Sequence, residues 1–178
     1  MENNAAARKA IFFDRDGTLN IDKNYLYRIE DFEWLGDAPQ AIRWANDHGF
    51  LVIVITNQSG VARGYFAEDD VRRLHAWMNE DLARFGAHID AFYYCPHLPD
   101  GSVTAYAKEC DCRKPKPGLI ERACADFRID RGMSVLVGDK PRDVECAEAA
   151  GVRGVRFEGG SLTELLESII SSGPQSEG

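Results

Sequence analysis

Residues 10–18 read AIFFDRDGT: four apolar residues, Ala10 to Phe13, run without a break into Asp14, Arg15, Asp16, Gly17 and Thr18. An unbroken apolar run of this length fits a strand buried on both faces, as in a parallel sheet. Directly behind it stand two carboxylates one residue apart, with a glycine that lets the chain turn sharply. An acid held at a strand end can attack phosphorus, and one two positions on can donate and accept the proton. By itself the segment is equally an Asp-Gly turn with solvated acids, so the rest of the chain has to decide.

Working outward, Leu51 to Ile55 (LVIVI) is the clearest further strand, rich in β-branched residues. Ala91 to Tyr94, Ser134 to Val137 and Val152 to Val155 follow. Helical periodicity fills the intervals. Ala38, Ala41, Ile42 and Ala45 mark one helix, with Asp37 as its cap and Gly49 near its end. Val71 to Phe85 marks a second, and Leu119 to Phe127, opening after Pro117, a third. Another runs from Pro141 to Ala150, and the stripe from Leu162 to Ile170 is the last. Cys124 and Cys146 fall inside helices and read as core. Strands alternating with helices predict a Rossmann-like, doubly wound parallel α/β sheet. The 178 residues suit one domain, 1–178, with flexible ends at 1–8 and 171–178.

Two segments break the pattern. Residues 57–66 (NQSGVARGYF) are polar and glycine-rich directly after the strongest strand. Cys95 to Gly118 holds three cysteines, one histidine and four prolines with little periodicity. Irregular loops this long in a compact domain are usually functional. In an open parallel sheet, ligands gather beyond the carboxyl ends of the strands, where Asp14, Thr56, Cys95 and Asp139 would all fall.

Three more pieces suit phosphoryl transfer, which is mostly positioning and electrostatics. Thr56, followed by Asn57, Gln58 and Ser59, can grip phosphoryl oxygens. Lys114, before a proline at a helix entrance, can neutralise charge between nucleophile and phosphate. Asp139, after a strand and Gly138, can complete an oxygen-ligand site for Mg²⁺. Cys95 with His97, and Cys110 with Cys112, offer three thiolates and an imidazole in two close pairs, the donor set of a closed structural Zn²⁺ site. Each piece alone also reads as a polar surface loop, and the cysteines as two reduced surface pairs.

In their order along the chain, FFDRDGTLN, VITNQSG, CRKPKPG and GDKPRD resemble the four signature motifs of the haloacid dehalogenase superfamily. The resemblance implies that fold in a capless form, with Asp14 as nucleophile, Asp16 as general acid and base, Thr56 on the phosphoryl group and Lys114 as its charge partner. It implies Mg²⁺ held by Asp14, the Asp16 carbonyl and Asp139, with Asp143 close by. With YYCPH and CDCRKPKPG added, the closer likeness is to the heptose bisphosphate phosphatases, over residues 10 to 157. A small phosphorylated sugar is then the expected substrate, touched by Asp22, Lys23, Asn24, Tyr25, Thr56, Asn57, Gln58, Ser59, Arg113, Lys114 and Lys140. Histidinol-phosphate phosphatases share this motif set, and a non-catalytic zinc-stabilised binding module is the reading from another class.

Composition narrows the partners. Apolar residues make up 44% and charged residues 28%, ordinary for a globular chain, and the formal charge of −8 provides no basic track for nucleic acid or an anionic membrane. MENNAAARKA carries no apolar leader. The expectation is a cytoplasmic monomer whose thiols stay reduced.

Overall fold

The computed structural model describes residues 6–173. The expected flexible ends fall largely outside that range. Inside it, the Arg8 amide donates to the Arg128 carbonyl at 3.0 Å and its carbonyl accepts from Asp130 N at 2.8 Å.

Five parallel strands form one sheet in the order β3-β2-β1-β4-β5: Ala10–Phe13 (β1), Leu51–Asn57 (β2), Ala91–Cys95 (β3), Val135–Gly138 (β4) and Arg153–Arg156 (β5). Register is set with Phe12 beside both Ile53 and Leu136. β1 and β2 are buried on both faces apart from Asn57, which explains their unbroken apolar sequence.

Alternate residues feed two cores. Ile11, Phe13, Val52, Val54, Val135 and Val137 pack against α1 (Ala38–Asp47), α3 (Glu68–Leu82) and α6 (Leu162–Ser171). Phe12, Ile53, Ile55 and Leu136 pack against α4 (Gly118–Phe127) and α5 (Pro141–Ala149). Cys124 and Cys146 are both buried in this second core, as expected. A small satellite of Val61, Phe66 and Val71 supports the loops above the sheet.

Two local expectations are corrected. Asp37 precedes α1 but makes no side-chain cap there. Its carboxylate instead accepts from Leu162 N at 2.8 Å and Thr163 N at 3.1 Å, capping α6 from across the fold. The segment after β2 is not wholly irregular, for Gly60–Arg63 makes one short helical turn, α2.

The connection from β1 leads to β2, while that from β4 leads to β5 on the opposite side. Adjacent strands whose following loops part in this way leave a crevice at their carboxyl ends. Asp14 and Asp139 are the first residues after β1 and β4, so the topology puts them on either lip of that crevice.

Candidate active site

At the foot of the crevice, Lys114 is buried with its Nζ 2.8 Å from Asp14 Oδ1, 2.7 Å from Asp143 Oδ1 and 2.8 Å from the Ile55 carbonyl. A buried charge persists only when paired, and here one ammonium serves two buried carboxylates. Burial alone would depress the Lys114 pKa, but Asp14 and Asp143 outweigh it and hold it above its usual value. Burial pushes the Asp14 carboxyl up to about 7; Lys114 opposes the rise and Asp143 adds to it. Asn57 fixes the lysine's backbone, accepting from Lys114 N at 3.0 Å and donating to its carbonyl at 3.2 Å.

Asp16 lies in different surroundings. Burial raises its pKa, but the Arg15 guanidinium and hydrogen bonds from Asn20 and Gln58 outweigh that and hold it below the usual carboxylate range. Arg15 Nη2 donates to both carboxylate oxygens at 3.1 Å, and Asn20 Nδ2 and Gln58 Nε2 donate at 3.0 Å each. Gln58 Nε2 also donates to Thr56 Oγ1 at 2.9 Å, tying the hydroxyl into the same array.

Two clusters have the chemistry of metal sites. Carboxylate oxygens of Asp14, Asp139 and Asp143 lie within 4.8 Å of one another, an all-oxygen set of the kind Mg²⁺ takes. A dication there would also offset Asp14 and Asp143, which share the one buried ammonium, and Asp139, whose partner at 3.5 Å is Lys140. Gly17 makes the close approach possible: its φ is +87°, and a Cβ would stand 2.4 Å from Asp139 Oδ2. In the other cluster Cys95 Sγ lies 3.6 Å from both His97 Nδ1 and Cys110 Sγ, and Cys112 Sγ is 3.4 Å from His97 Nδ1 and 3.1 Å from Cys95 Sγ. Zn–S bonds of about 2.3 Å imply tetrahedral edges of about 3.8 Å, so the four donors need to shift only slightly to enclose Zn²⁺.

Above the carboxylates opens a cleft of about 300 Å³. Asp14, Asp16 and Thr56 form its floor, and Arg63, Arg113, Lys140 and Arg142 contribute cations to its wall. Arg113 Nη1 donates to the His97 carbonyl at 3.3 Å, which links this wall to the cysteine cluster. Asn24 and Tyr25 reach the cleft in left-handed backbone conformations, with φ of 56° and 59°. Such strain in non-glycine residues clusters at ligand sites.

The comparisons with known proteins agree with this geometry. The family described as HAD-hydrolase-like matches residues 111–170. The D-glycero-beta-D-manno-heptose-1,7-bisphosphate 7-phosphatase of Rhodopseudomonas palustris is 43% identical over 96% of this chain and 94% of its own length. The chain belongs to the heptose bisphosphate phosphatase family of HAD-like hydrolases. The D-glycero-alpha-D-manno-heptose-1,7-bisphosphate 7-phosphatase of Photorhabdus laumondii is 44% identical over 81% of this chain and 79% of its own. Among solved structures, D,D-heptose 1,7-bisphosphate phosphatase from B. bronchiseptica, complexed with magnesium and phosphate, superposes with a TM-score of 0.77. It is 28% identical and covers 92% of this chain and 99% of its own.

For this member of the heptose bisphosphate phosphatase family, most residues singled out in the sequence do meet at the cleft: Asp22, Asn24, Tyr25, Ser59, Arg113 and Lys140 all line it. Lys23 does not. Its ammonium turns away to the Asp31 carbonyl and the Glu33 carboxylate, because these neighbours satisfy it locally. Lys114 lies beneath Asp14 rather than in the wall, and the Asn57 amide is occupied by the lysine's backbone. Asp143, left off the expected ligand set, is wholly buried within the acidic cluster. Arg15, Asn20, Arg63 and Arg142 were not singled out. The Arg between the two motif acids was a readable signal for the first; nothing in the sequence separates the last two from surface arginines.

Proposed function

We propose that the chain hydrolyses the 7-phosphate of D-glycero-D-manno-heptose 1,7-bisphosphate, with Asp14 as nucleophile and Asp16 as general acid and base. The observation that carries the chemistry is the pair of acids on one cleft floor, one against a lysine and the other clamped by an arginine. The substrate class rests on the relatives' names and on the cation-lined wall above that floor.

In the first step an Asp14 oxygen attacks phosphorus as the bond to the sugar oxygen breaks, and Asp16 gives that oxygen its proton. A phosphate dianion arriving beside Asp16 raises its proton affinity, opposing Arg15, so the carboxyl is loaded as substrate seats. In the second step Asp16 takes a proton from water, whose oxygen attacks phosphorus and frees Asp14 with release of phosphate. Thr56 and Lys114 hold the phosphoryl oxygens and the nucleophile in line. Asp14, Asp139 and the Asp16 carbonyl would hold Mg²⁺, which when bound neutralises charge between phosphate and carboxylates. At the wall, Arg113 and Lys140 receive the second phosphate, a group that planar guanidinium forks suit well. Asp22, Asn24 and Tyr25 meet the sugar.

Cys95, His97, Cys110 and Cys112 are proposed to bind one structural Zn²⁺, supported by their near-tetrahedral spacing. Residues 1–178 are taken as a single unit acting as a monomer, since one chain supplies the whole cleft. Its five free cysteines suit the cytoplasm. Among the described residues no helix is long and apolar enough to cross a membrane.

The test is kcat/KM with Mg²⁺ on both anomers of the bisphosphate, beside histidinol phosphate and an aryl phosphate. A preference of about 10²-fold for one bisphosphate anomer, roughly 2.7 kcal/mol, is expected; a preference for histidinol phosphate would overturn the substrate. Metal analysis of unchelated protein should find about one zinc per chain, and finding none would remove the zinc site alone.

A further inference from the structure

The Arg15 guanidinium is wholly buried, and its contacts go beyond Asp16. Nη2 also donates to the Leu26 carbonyl at 3.0 Å and to Gln58 Oε1 at 3.3 Å. Among the described residues Nη1 faces one partner, His75 Nε2, at 3.2 Å. Arginine only donates, so Nε2 is the unprotonated acceptor and the imidazole proton sits on Nδ1. Burial and the Arg15 charge together hold the His75 pKa well below its usual value, which keeps the ring neutral and in that role. The ring has little freedom. It stacks on Phe92 with centroids 4.4 Å apart and interplanar angle 12°, and Tyr94 meets it edge-on at 6.0 Å.

We propose that His75 is a positioning residue: it anchors Arg15 from behind and so aims the Asp16 carboxyl at the leaving-group oxygen. The proposal rests on the reading of Asp16 as general acid given above. A core histidine that merely satisfied itself would not need to face a buried cation. Without His75, Nη1 would be a buried charged donor lacking an acceptor, which is costly. The guanidinium would then turn to find one, and it cannot turn without carrying the Asp16 carboxylate with it, since Nε and Nη2 both grip that group. α3 therefore reaches the chemistry from outside the four motif segments, through a residue that touches neither substrate nor metal.

The experiment uses the full chain with Mg²⁺ and two substrates. The bisphosphate's sugar would leave as an alkoxide and needs the Asp16 proton in the first step; p-nitrophenyl phosphate releases a stable phenolate and does not. Because kcat/KM reports only the steps through departure of the leaving group, before Asp16 acts as base, His75→Leu should lower kcat/KM on the bisphosphate about tenfold and on p-nitrophenyl phosphate less than about twofold, a fraction of the full general-acid contribution. His75→Gln, whose Oε1 can accept from Arg15, should restore most of the lost ratio. Loss of general structure would instead lower both substrates equally, and equal losses, or none, would overturn the proposal. If His75→Leu fails to fold, His75→Asn serves, because its shorter amide keeps polarity but falls short of Arg15, and the same ratio is expected. Asp16→Asn is the reference. If it shifts the ratio and the His75 variants do not, only the positioning role falls; if it leaves the ratio unchanged, the general-acid reading falls with it.

Discussion

At the foot of the cleft Lys114 stands between Asp14 at 2.8 Å and Asp143 at 2.7 Å, all three buried. At its mouth Arg63, Arg113 and Arg142 have no carboxylate within ion-pair distance among the described residues. The chain as a whole is acidic, with net charge −8, so unpaired cations gathered on one wall run against its composition. The contrast separates two uses of charge. Buried charges must be neutralised by the chain itself or they prevent folding. Charges at a solvated mouth cost little to leave unpaired and remain available to an incoming anion. Catalysis is thus expected to depend on the foot, and discrimination between substrates on the mouth.

The largest effect should come from the foot. Asp14→Asn keeps shape and hydrogen bonding but an amide cannot form the acyl phosphate, so kcat should fall by about 10⁴-fold or more on every substrate. A single-turnover assay with metal present checks it; residual activity near wild type would move the nucleophile elsewhere. Lys114→Met comes next. Removing one ammonium strands Asp14 and Asp143 together, and losing one partner of a buried pair typically costs about 3–5 kcal/mol. Urea unfolding in the presence of a chelator should show that loss, and added Mg²⁺ should recover part of it by supplying the missing positive charge. No recovery would mean the carboxylates do not form a cation site.

The foot was legible in the sequence because parallel strands deliver their following residues to one edge. Asp14, Thr56 and Asp139 each follow an apolar run, and the sheet brings them together whatever the helices do. Contacts made by side chains reaching across the fold were not legible. Asp37 caps α6 over a separation of 124 residues or more, and His75 meets Arg15 over 60. His75 is buried on α3, although the sequence shows no partner near it and reads equally as a surface or a helix residue. Lys23 and Asn57 sit in the right segments, but Asp31 and Glu33 for the one and the Lys114 backbone for the other decide where their polar atoms point. Arg63 reaches the wall from the end of α2, a single turn too short to have a period.

The smallest effect tests the mouth, and it divides by substrate. Arg113→Ala removes the wall cation proposed to meet the second phosphate alone. It should therefore cost about 10- to 100-fold in kcat/KM on the bisphosphate, the worth of a charged hydrogen bond, and less than about twofold on an aryl phosphate. Because Arg113 Nη1 is held by the carbonyl of His97, the side chain's aim depends on the cysteine cluster. Stripping zinc from the wild type should then reproduce the same selective loss, while stripping it from Arg113→Ala should add little on either substrate. Equal losses on both substrates would make Arg113 a structural residue. Additive losses from mutation and chelation would mean the cluster acts on the cleft by another route, and the wall would have to be assigned to Arg63, Lys140 and Arg142 instead.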